Sequence, residues 1–427
     1  LIGPLILFFV LLAVLGVPIA IGMGIAVIVT MAFLTPFPVL GMVQRMVTGI
    51  DSFVLISIPF FMLTGRLMNA GGITNDLFAF ARSLVGPIRG GMAHANVIAN
   101  MILAGMSGSA VADAGGMGVV VIKAMNDQGY RKDLAGAITV AASTIGPIIP
   151  PSIPMVIYGA MAEVSVGKLF LGGFVPGVLM GLGLMFLIYL VSSREKMPKD
   201  KFYSVRDIWK AFRAAFLSLL TPVILIGGIL SGIFTPTEAS AVAAVYAFVL
   251  CFFVYKTVTV KDIPSIIVDT FVTTAVVTFI ISATSGFSYL LIIGRVGSLL
   301  VENTLALTRN PLVVLFLVNI VLLILGCLME AGVLLILLTP ILVPMMKSLG
   351  VDLIHFGVVM VLNLMIGVAT PPVGMCLFVV SEANDIKLER LMREVIPWVL
   401  PLIAVLFLIT YFPALVLLVP NWLMPGR

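Results

Sequence analysis

Two short stretches concentrate the residues that could do chemistry. The first is Gly105–Gly118, GMSGSAVADAGGMG, followed by Ser143–Pro154, STIGPIIPPSIP. The second is Gly326–Gly332, GCLMEAG, followed by Ile366–Gly374, IGVATPPVG. They carry the hydroxyls of Ser107, Ser109, Ser152 and Thr370, and the carboxylates of Asp113 and Glu330. Their prolines cannot donate to the turn before them, so upstream carbonyls are left free. Free carbonyls and hydroxyls suit a hard cation, whereas helix N-termini and hydroxyls suit an anion. Candidate cation ligands in the first pair are Ser107, Ser109 and the Gly146–Pro151 carbonyls. In the second pair they are Met329, Glu330, Gly367, Thr370 and Val373. Asp113 could bond a substrate hydroxyl or amide, or cap the backbone at Gly115–Gly116. The alternative is that Gly, Ser and Pro here only let helices approach closely.

Other polar groups carry less. Glu238, in TPTEAS (Thr235–Ser240), fits a cap on the following helix. His94 and His355 fall at helix starts and read as structural. Asn319 and Asn363 stand in apolar runs as further ion or substrate contacts. A rival chemistry is an intramembrane serine protease with Ser107 as nucleophile. That needs a base on a neighbouring helix, for which His355 is the formal candidate. An ion channel is a third alternative, although nothing resembles a selectivity filter.

Composition sets the class. The 427 residues are 61% hydrophobic and 10% charged, with mean hydropathy +1.24. Soluble domains carry about 25% charged residues. No soluble fold hides so much apolar surface, so the chain reads as an all-α polytopic membrane protein. The three cysteines lie in apolar runs, with no disulfide frame and no metal spacing. The basic balance (24 Lys and Arg against 19 acids) reflects loop charges, not nucleic-acid binding. Leu1–Phe33 lacks a basic start and is too long for a cleavable signal peptide. An apolar run at the first residue fits a chain that continues an upstream segment.

The elements that must hold these residues follow from hydropathy. Leu5–Phe33 predicts a span kinked at Pro18. A polar link with Arg45 and Asp51 leads to a span at Phe53–Met68. Ile73–Val85 is amphipathic and predicts an interfacial helix. His94–Ala104 covers only about 16 Å at 1.5 Å per residue, half of a hydrocarbon core. With Val119–Met125 it predicts a re-entrant hairpin around a small-residue tip. Leu134–Ser143 and Met155–Met161 predict two halves of a broken helix. Spans are expected at Phe170–Val191, Phe216–Phe234, Ala239–Tyr255, Thr270–Ile293 and Pro397–Leu418. Ser192–Arg213 reads as a long polar loop and Thr257–Val268 as a second amphipathic stretch. The second motif copy occupies Leu312–Ser381.

The two copies are related without gaps. Pro150–Pro151 and Pro371–Pro372 stand 221 positions apart (371 − 150). The same offset pairs Gly105 with Gly326, Gly129 with Gly350, Gly136 with Gly357, Gly146 with Gly367 and Pro176 with Pro397. An internal duplication explains this. Loop charge gives its orientation. The Ser192–Arg213 loop holds seven basic residues (Arg194, Lys196, Lys199, Lys201, Arg206, Lys210, Arg213) against three acids, which places it in the cytoplasm. Counting spans then puts Lys123, Arg131 and Lys132 inside, and Arg295 and Lys347 outside. The copies therefore have opposite topology, and the first hairpin and His355 start from opposite faces.

The stretches SIPFFMLTG (Ser57–Gly65), GMSGSAVADAGG (Gly105–Gly116), GPIIPPSIP (Gly146–Pro154), GIFTPTEASAVA (Gly232–Ala243) and TPPVG (Thr370–Gly374) resemble the large membrane subunit of TRAP transporters, the DctM-like family. The resemblance covers nearly the whole chain. It implies secondary, sodium-driven uptake of an organic acid across the bacterial inner membrane, and not an enzyme. It implies an elevator-type transporter whose partners are a small four-helix membrane subunit, separate or fused, and a periplasmic substrate-binding protein. It places one Na+ on Ser107, Ser109, Gly146, Ile149 and Pro151. A second Na+ falls on Met329, Gly367, Thr370 and Val373, and the substrate near Ser109, Asp113 and Ser152. Sialic acid is favoured, and a C4-dicarboxylate comes next. The missing start fits the members in which the small and large subunits are fused.

The expected division has five parts. Residues 1–92 form scaffold spans and a first arm helix, and 93–169 the first transport repeat. Residues 170–311 form scaffold spans, the cytoplasmic loop and arm helices. Residues 312–384 are the second transport repeat, and 385–427 an arm helix and last span.

Ser109→Ala and Thr370→Ala are each expected to weaken sodium-dependent uptake. Unchanged sodium dependence of the initial rate in both variants would sink the paired-site idea. Arg→Gln changes in the basic loop are expected to leave uptake unaltered.

Overall fold

The computed structural model describes residues 2–35, 38–195, 197–200, 202–296, 299, 301–302, 308 and 310–425. Leu1, Lys196 and Lys201 lie outside them. The described residues form helices in the order α1 (Ile2–Val14), α2 (Ile19–Leu34), α3 (Val39–Ile50), α4 (Ser57–Ala70), α5 (Ile73–Val85), α6 (Gly91–Ser107), α7 (Ala110–Asp127), α8 (Lys132–Ser143), α9 (Ile153–Ala162), α10 (Val166–Ser192), α11 (Val205–Leu230), α12 (Pro236–Val249), α13 (Ile263–Ile293), α14 (Pro311–Gly326), α15 (Ala331–Ser348), α16 (Leu353–Ala369), α17 (Met375–Ala383), α18 (Leu388–Tyr411) and α19 (Ala414–Leu423). Among the described residues, seven helical segments are long and apolar enough to cross a membrane.

The duplication is visible in the elements. Shifted by 221, α7 coincides with α15 residue for residue, and α8, α9 and α10 start within one residue of α16, α17 and α18. Helices α6–α7 and α14–α15 are the two hairpins. Helices α8–α9 and α16–α17 are the two broken helices. Both diproline breaks, Pro150–Pro151 and Pro371–Pro372, contain cis peptide bonds. Packing is reciprocal: α7 lies on α17, and α15 lies on α9. Gly115 and Gly118 of α7 face Val379 and Val380 of α17. Tyr158 of α9 covers Gly357 and bonds the Leu353 carbonyl at 2.8 Å. Each repeat thus completes the other.

Local sequence explains the hairpin turns. Gly108 ends α6 at φ +61°, a left-handed conformation that side chains disfavour. Ser109 then caps α7, its hydroxyl accepting from Ala112 N–H at 3.4 Å. The break between these arms is therefore two residues, much shorter than the small-residue stretch around it. In the second hairpin Glu330 caps α15 with both carboxylate oxygens, each 2.9 Å from a backbone N–H, of Gly332 and Val333. Glu238 closes a capping box with Thr235 at the start of α12, as expected from TPTEAS.

Several elements differ from the hydropathy reading. Leu5–Phe33 is two helices, not one kinked span. Gly16 turns the chain at φ +79° and α2 folds back, so that a Cβ on Gly22 would lie 3.6 Å from Leu12 Cβ. The polar link around Arg45 is the amphipathic helix α3. Thr257–Val268 is no separate amphipathic helix, since Ile263 opens the 31-residue α13. Hydropathy alone cannot see continuity through Asp269, an isolated charge two turns into that helix. The polar loop is helical from Val205 onwards, under a Ser204–Asp207 capping box. Its remaining part is strapped down. Asp200, 5% exposed at its side chain, takes Arg82 Nη2 at 3.0 Å and Tyr203 Oη at 2.8 Å, and pairs also with Arg82 Nε.

Most buried side chains form one core centred on the hairpins and broken helices. A second, smaller core holds Leu5, Met23, Val27, Met31 and Met42 against Phe287 and Leu290 of α13.

A close backbone contact joins the second hairpin to its broken helix. A Cβ on Gly367 would fall 2.6 Å from the Gly326 carbonyl oxygen and 2.7 Å from its Cα. Gly367→Ala should therefore cost about 1–3 kcal/mol through overpacking, read as a lower unfolding temperature in detergent. Gly227→Ala, which meets nothing within 4 Å, should leave that temperature unchanged or slightly raised.

Candidate functional site

Both tips, the first break and the helices flanking the second break line one cavity of about 700 Å³. Ser107, Gly108 and Ser109 line it from the first hairpin, and Glu330, Ala331 and Gly332 from the second. Pro147, Ile153 and Pro154 come from the first broken helix, and Met365, Val368 and Met375 from the second. The opposite wall is α4 and α13, with Met62, Arg66 and Asn69 facing Asp269, Thr273 and Val277. The volume suits a small organic molecule.

The first predicted cation set is gathered in one place. The tip backbone rests on the break, since a Cβ on Gly108 would lie 2.7 Å from the Pro151 carbonyl oxygen. Ser109 N–H donates to Ser107 Oγ at 3.4 Å. Among the described residues, the carbonyls of Gly146, Ile149 and Pro151 accept no hydrogen bond. The break is held from behind by α10, where Gly173 and Gly177 make room for Ile148 and Ile149.

The second hairpin and its break also touch. Gly367 lies on Gly326, and Val373 N–H donates to the Cys327 carbonyl at 3.1 Å. The carbonyls of Met329, Thr370 and Val373 take no hydrogen bond among the described residues. The Gly367 carbonyl accepts from Thr370 N–H at 3.0 Å. Thr370 Oγ1 donates to Ile366 at 2.6 Å and keeps its lone pairs. The first break presents oxygens with no partner inside a buried region, and such groups call for a ligand or water; the second is more open, with Val373 39% exposed. A hard cation fits that donor set.

The three predicted substrate contacts separate. Ser109 faces the cavity. Asp113 and Ser152 stand one layer behind it. Asp113 is 1% exposed, and among the described residues its carboxylate has only the Ser107 hydroxyl as a side-chain hydrogen-bonding neighbour. Its Oδ2 occupies the space that a side chain on Gly146 would fill. Ser152 is fully buried, donates to the Pro147 carbonyl, and accepts from Met155 N–H at 3.2 Å as the cap of α9. Asn319 and Asn363 bond each other at 2.8 Å, and Asn319 reaches Thr410 of α18 at 2.9 Å. His355 bonds the Ile409 carbonyl at 2.8 Å, and no hydrogen bond joins it to Ser107.

The sequence reading passed over the α4–α13 wall. Arg66 donates to Thr273 Oγ1 at 2.8 Å and lies 3.4 Å from Asp269. A signal was present. Arg66 is the one charged residue of SIPFFMLTGRLMNA, and Asp269 sits early in a long apolar helix. Ionisable groups in such segments mark pathways.

Comparison with known proteins adds the following. Residues 5–415 match the family model described as "Tripartite ATP-independent periplasmic transporter, DctM component". The sialic acid TRAP transporter large permease protein SiaM of Vibrio cholerae is 47% identical over 381 residues, 88% of each chain. The sialic acid TRAP transporter permease protein SiaT of Haemophilus influenzae is 40% identical, over 98% of this chain and 68% of its own length. The C4-dicarboxylate TRAP transporter large permease protein DctM of Pseudomonas aeruginosa is 40% identical over 94% of both. Among solved structures, the YdaH transporter of Alcanivorax borkumensis superposes with a TM-score of 0.61, at 14% identity and 87% coverage of both chains, a likeness of fold alone.

Removing the α9 cap isolates the role of Ser152. Ser152→Ala is expected to cost about 1 kcal/mol of stability, seen in thermal unfolding, with Ser152→Thr restoring it.

Proposed function

The chain belongs to the DctM component family of tripartite ATP-independent periplasmic transporters, and on that premise we propose that it carries an organic acid inward, coupled to sodium. It is a multi-pass membrane transporter, not an enzyme. The observation that carries the proposal is the convergence of both hairpin tips, the first carbonyl-bearing break and the helices flanking the second on one cavity.

In this reading one sodium sits among Ser107, Ser109, Gly146, Ile149 and Pro151, and the second among Met329, Gly367, Thr370 and Val373. Both are cargo. Each ion joins a hairpin tip to a break, so that a repeat with its ion moves as one body. The bound cations also offset the charge of an acidic substrate. One net extra cation adds about 2.3 kcal/mol of drive per 100 mV. The two repeats form the moving part and the remaining spans the frame, which is elevator-type alternating access. Ser109 meets the substrate directly, and Asp113 and Ser152 hold the wall behind it.

The membrane is the bacterial inner membrane. The partners are a small membrane subunit and a periplasmic binding protein. SiaT, whose length exceeds this chain's match to it, agrees with relatives in which both membrane parts share one chain. Sialic acid is the favoured substrate, supported by the two sialic acid relatives, and a C4-dicarboxylate is the second reading, supported by the Pseudomonas relative.

Reconstituted vesicles with the small subunit and binding protein test this. An inward sodium gradient should drive accumulation of radiolabelled sialic acid, and succinate should accumulate at least about tenfold more slowly. Equal uptake with sodium replaced by potassium would refute the coupling. A preference for succinate would transfer the substrate assignment to the second reading.

A further inference from the structure

The cavity has charges on one wall that neither cation site uses. Among its described lining residues Arg66 is the only Lys or Arg, and Asp269 and Glu330 are the carboxylates. Both Glu330 oxygens are held by backbone N–H groups as the α15 cap. An acidic ligand in this cavity therefore meets a single fixed positive group.

That group is under-used. Arg66 approaches Asp269 through one nitrogen at 3.4 Å, a single-point contact and not a two-bond fork. Its other terminal nitrogen donates to Thr273 Oγ1 at 2.8 Å. The side chains of Arg66 and Asp269 are 38% and 61% exposed and both line the open cavity, so the rest of the chain does not enclose the pair. An exposed ion pair of this kind contributes little net stability. A guanidinium has five donors arranged to take a carboxylate through two parallel bonds. A ligand carboxylate making those bonds would out-compete the loose Asp269 contact without leaving a buried charge unpaired, since Asp269 would turn to solvent. Asn69, one turn along α4, lies in the same wall, where Gly116 of α7 has no side chain to exclude it.

The geometry points to Arg66, with Thr273 beside it, as the subsite that receives the carboxylate of the organic acid. The inference rests on the organic-acid reading above and deepens it. Asp269 acts as a stand-in anion that holds the guanidinium in place while the cavity is empty. The acid then lies across the cavity, its carboxylate on the α4–α13 wall and its uncharged end toward the Ser107–Ser109 tip. The cations lie on the far side, behind the tips. The subsite therefore selects for an anion independently of sodium.

Thermal unfolding of the full chain in detergent reads both events. N-acetylneuraminate, its methyl ester and succinate would be titrated at fixed sodium, and sodium chloride would be titrated alone. In the wild type an acid should raise the unfolding temperature and the methyl ester should not. Arg66→Gln should need about tenfold or more acid for the same shift, the loss expected for a charge-assisted pair, with the response to sodium alone unchanged. Arg66→Lys should recover part of the acid response. Asp269→Asn should respond at equal or lower acid concentration.

An acid response in Arg66→Gln equal to the wild type, or a loss of acid and sodium responses together, would overturn the assignment. If Arg66→Gln does not fold, a weakened acid response in Asp269→Asn would overturn it. No response of the wild type to either acid would overturn the organic-acid reading along with it. A wild-type response that survives in Arg66→Gln removes the subsite alone.

Discussion

A peptide group at membrane depth has no water to turn to, and this constraint governs the whole chain. Continuous helices satisfy it locally. This sequence breaks its helices four times near the centre of the fold, at Gly108, Cys327–Glu330, Thr144–Ser152 and Thr370–Gly374. Each break survives because another break covers it. The Pro151 carbonyl lies on Gly108, and the Cys327 carbonyl takes Val373 N–H. Side chains complete the account where backbone cannot: Ser109, Glu330 and Ser152 each cap the helix that restarts. What is left over is a small number of free oxygens on either side of one cavity.

The duplication makes this arrangement self-consistent, but the copies are not equivalent. In the second, glycine meets glycine and the backbones touch at Gly326 and Gly367. In the first, the corresponding space near Gly146 is filled by the Asp113 carboxylate, where the repeat-mate position carries Leu334. One half is therefore closed by packing and the other by a buried polar group. Burying a carboxylate beside a single hydroxyl, here Ser107, is costly. The first repeat is thus the less settled of the two, although its framework of helices is the same.

Much of this was legible in the sequence, and the reasons are specific. Glycines and prolines at a fixed offset cannot be explained by hydropathy, so the repeat and its breaks could be found without a structure. Capping signals such as TPTEAS are local and read correctly. Turns inside uniformly apolar sequence were not legible. Leu15-Gly16-Val17-Pro18 reverses the chain, yet a kinked span and a folded pair have the same composition. The start of α13 was hidden for the opposite reason, because Asp269 and the threonines after it split one helix into two apparent stretches. Arg66 was not legible as a site residue from its own segment alone. Its significance depends on α13, which is 203 positions away at Asp269. Long-range partners of that kind leave no periodic trace.

The contacts between the first hairpin and its neighbours share an unusual texture. Gly65 of α4 meets the Ser107 backbone, Gly105 of α6 meets Pro222 of α11, and Gly116 of α7 lies under Asn69. Helices normally grip one another by lodging knobs in holes, and a shift by one turn must lift every knob out. Here the holes are glycines: Pro222 and Asn69 lodge where Gly105 and Gly116 carry no side chain. A shift of the hairpin along this seam must lift both out, so the glycines index the hairpin against α4 and α11 at a discrete position.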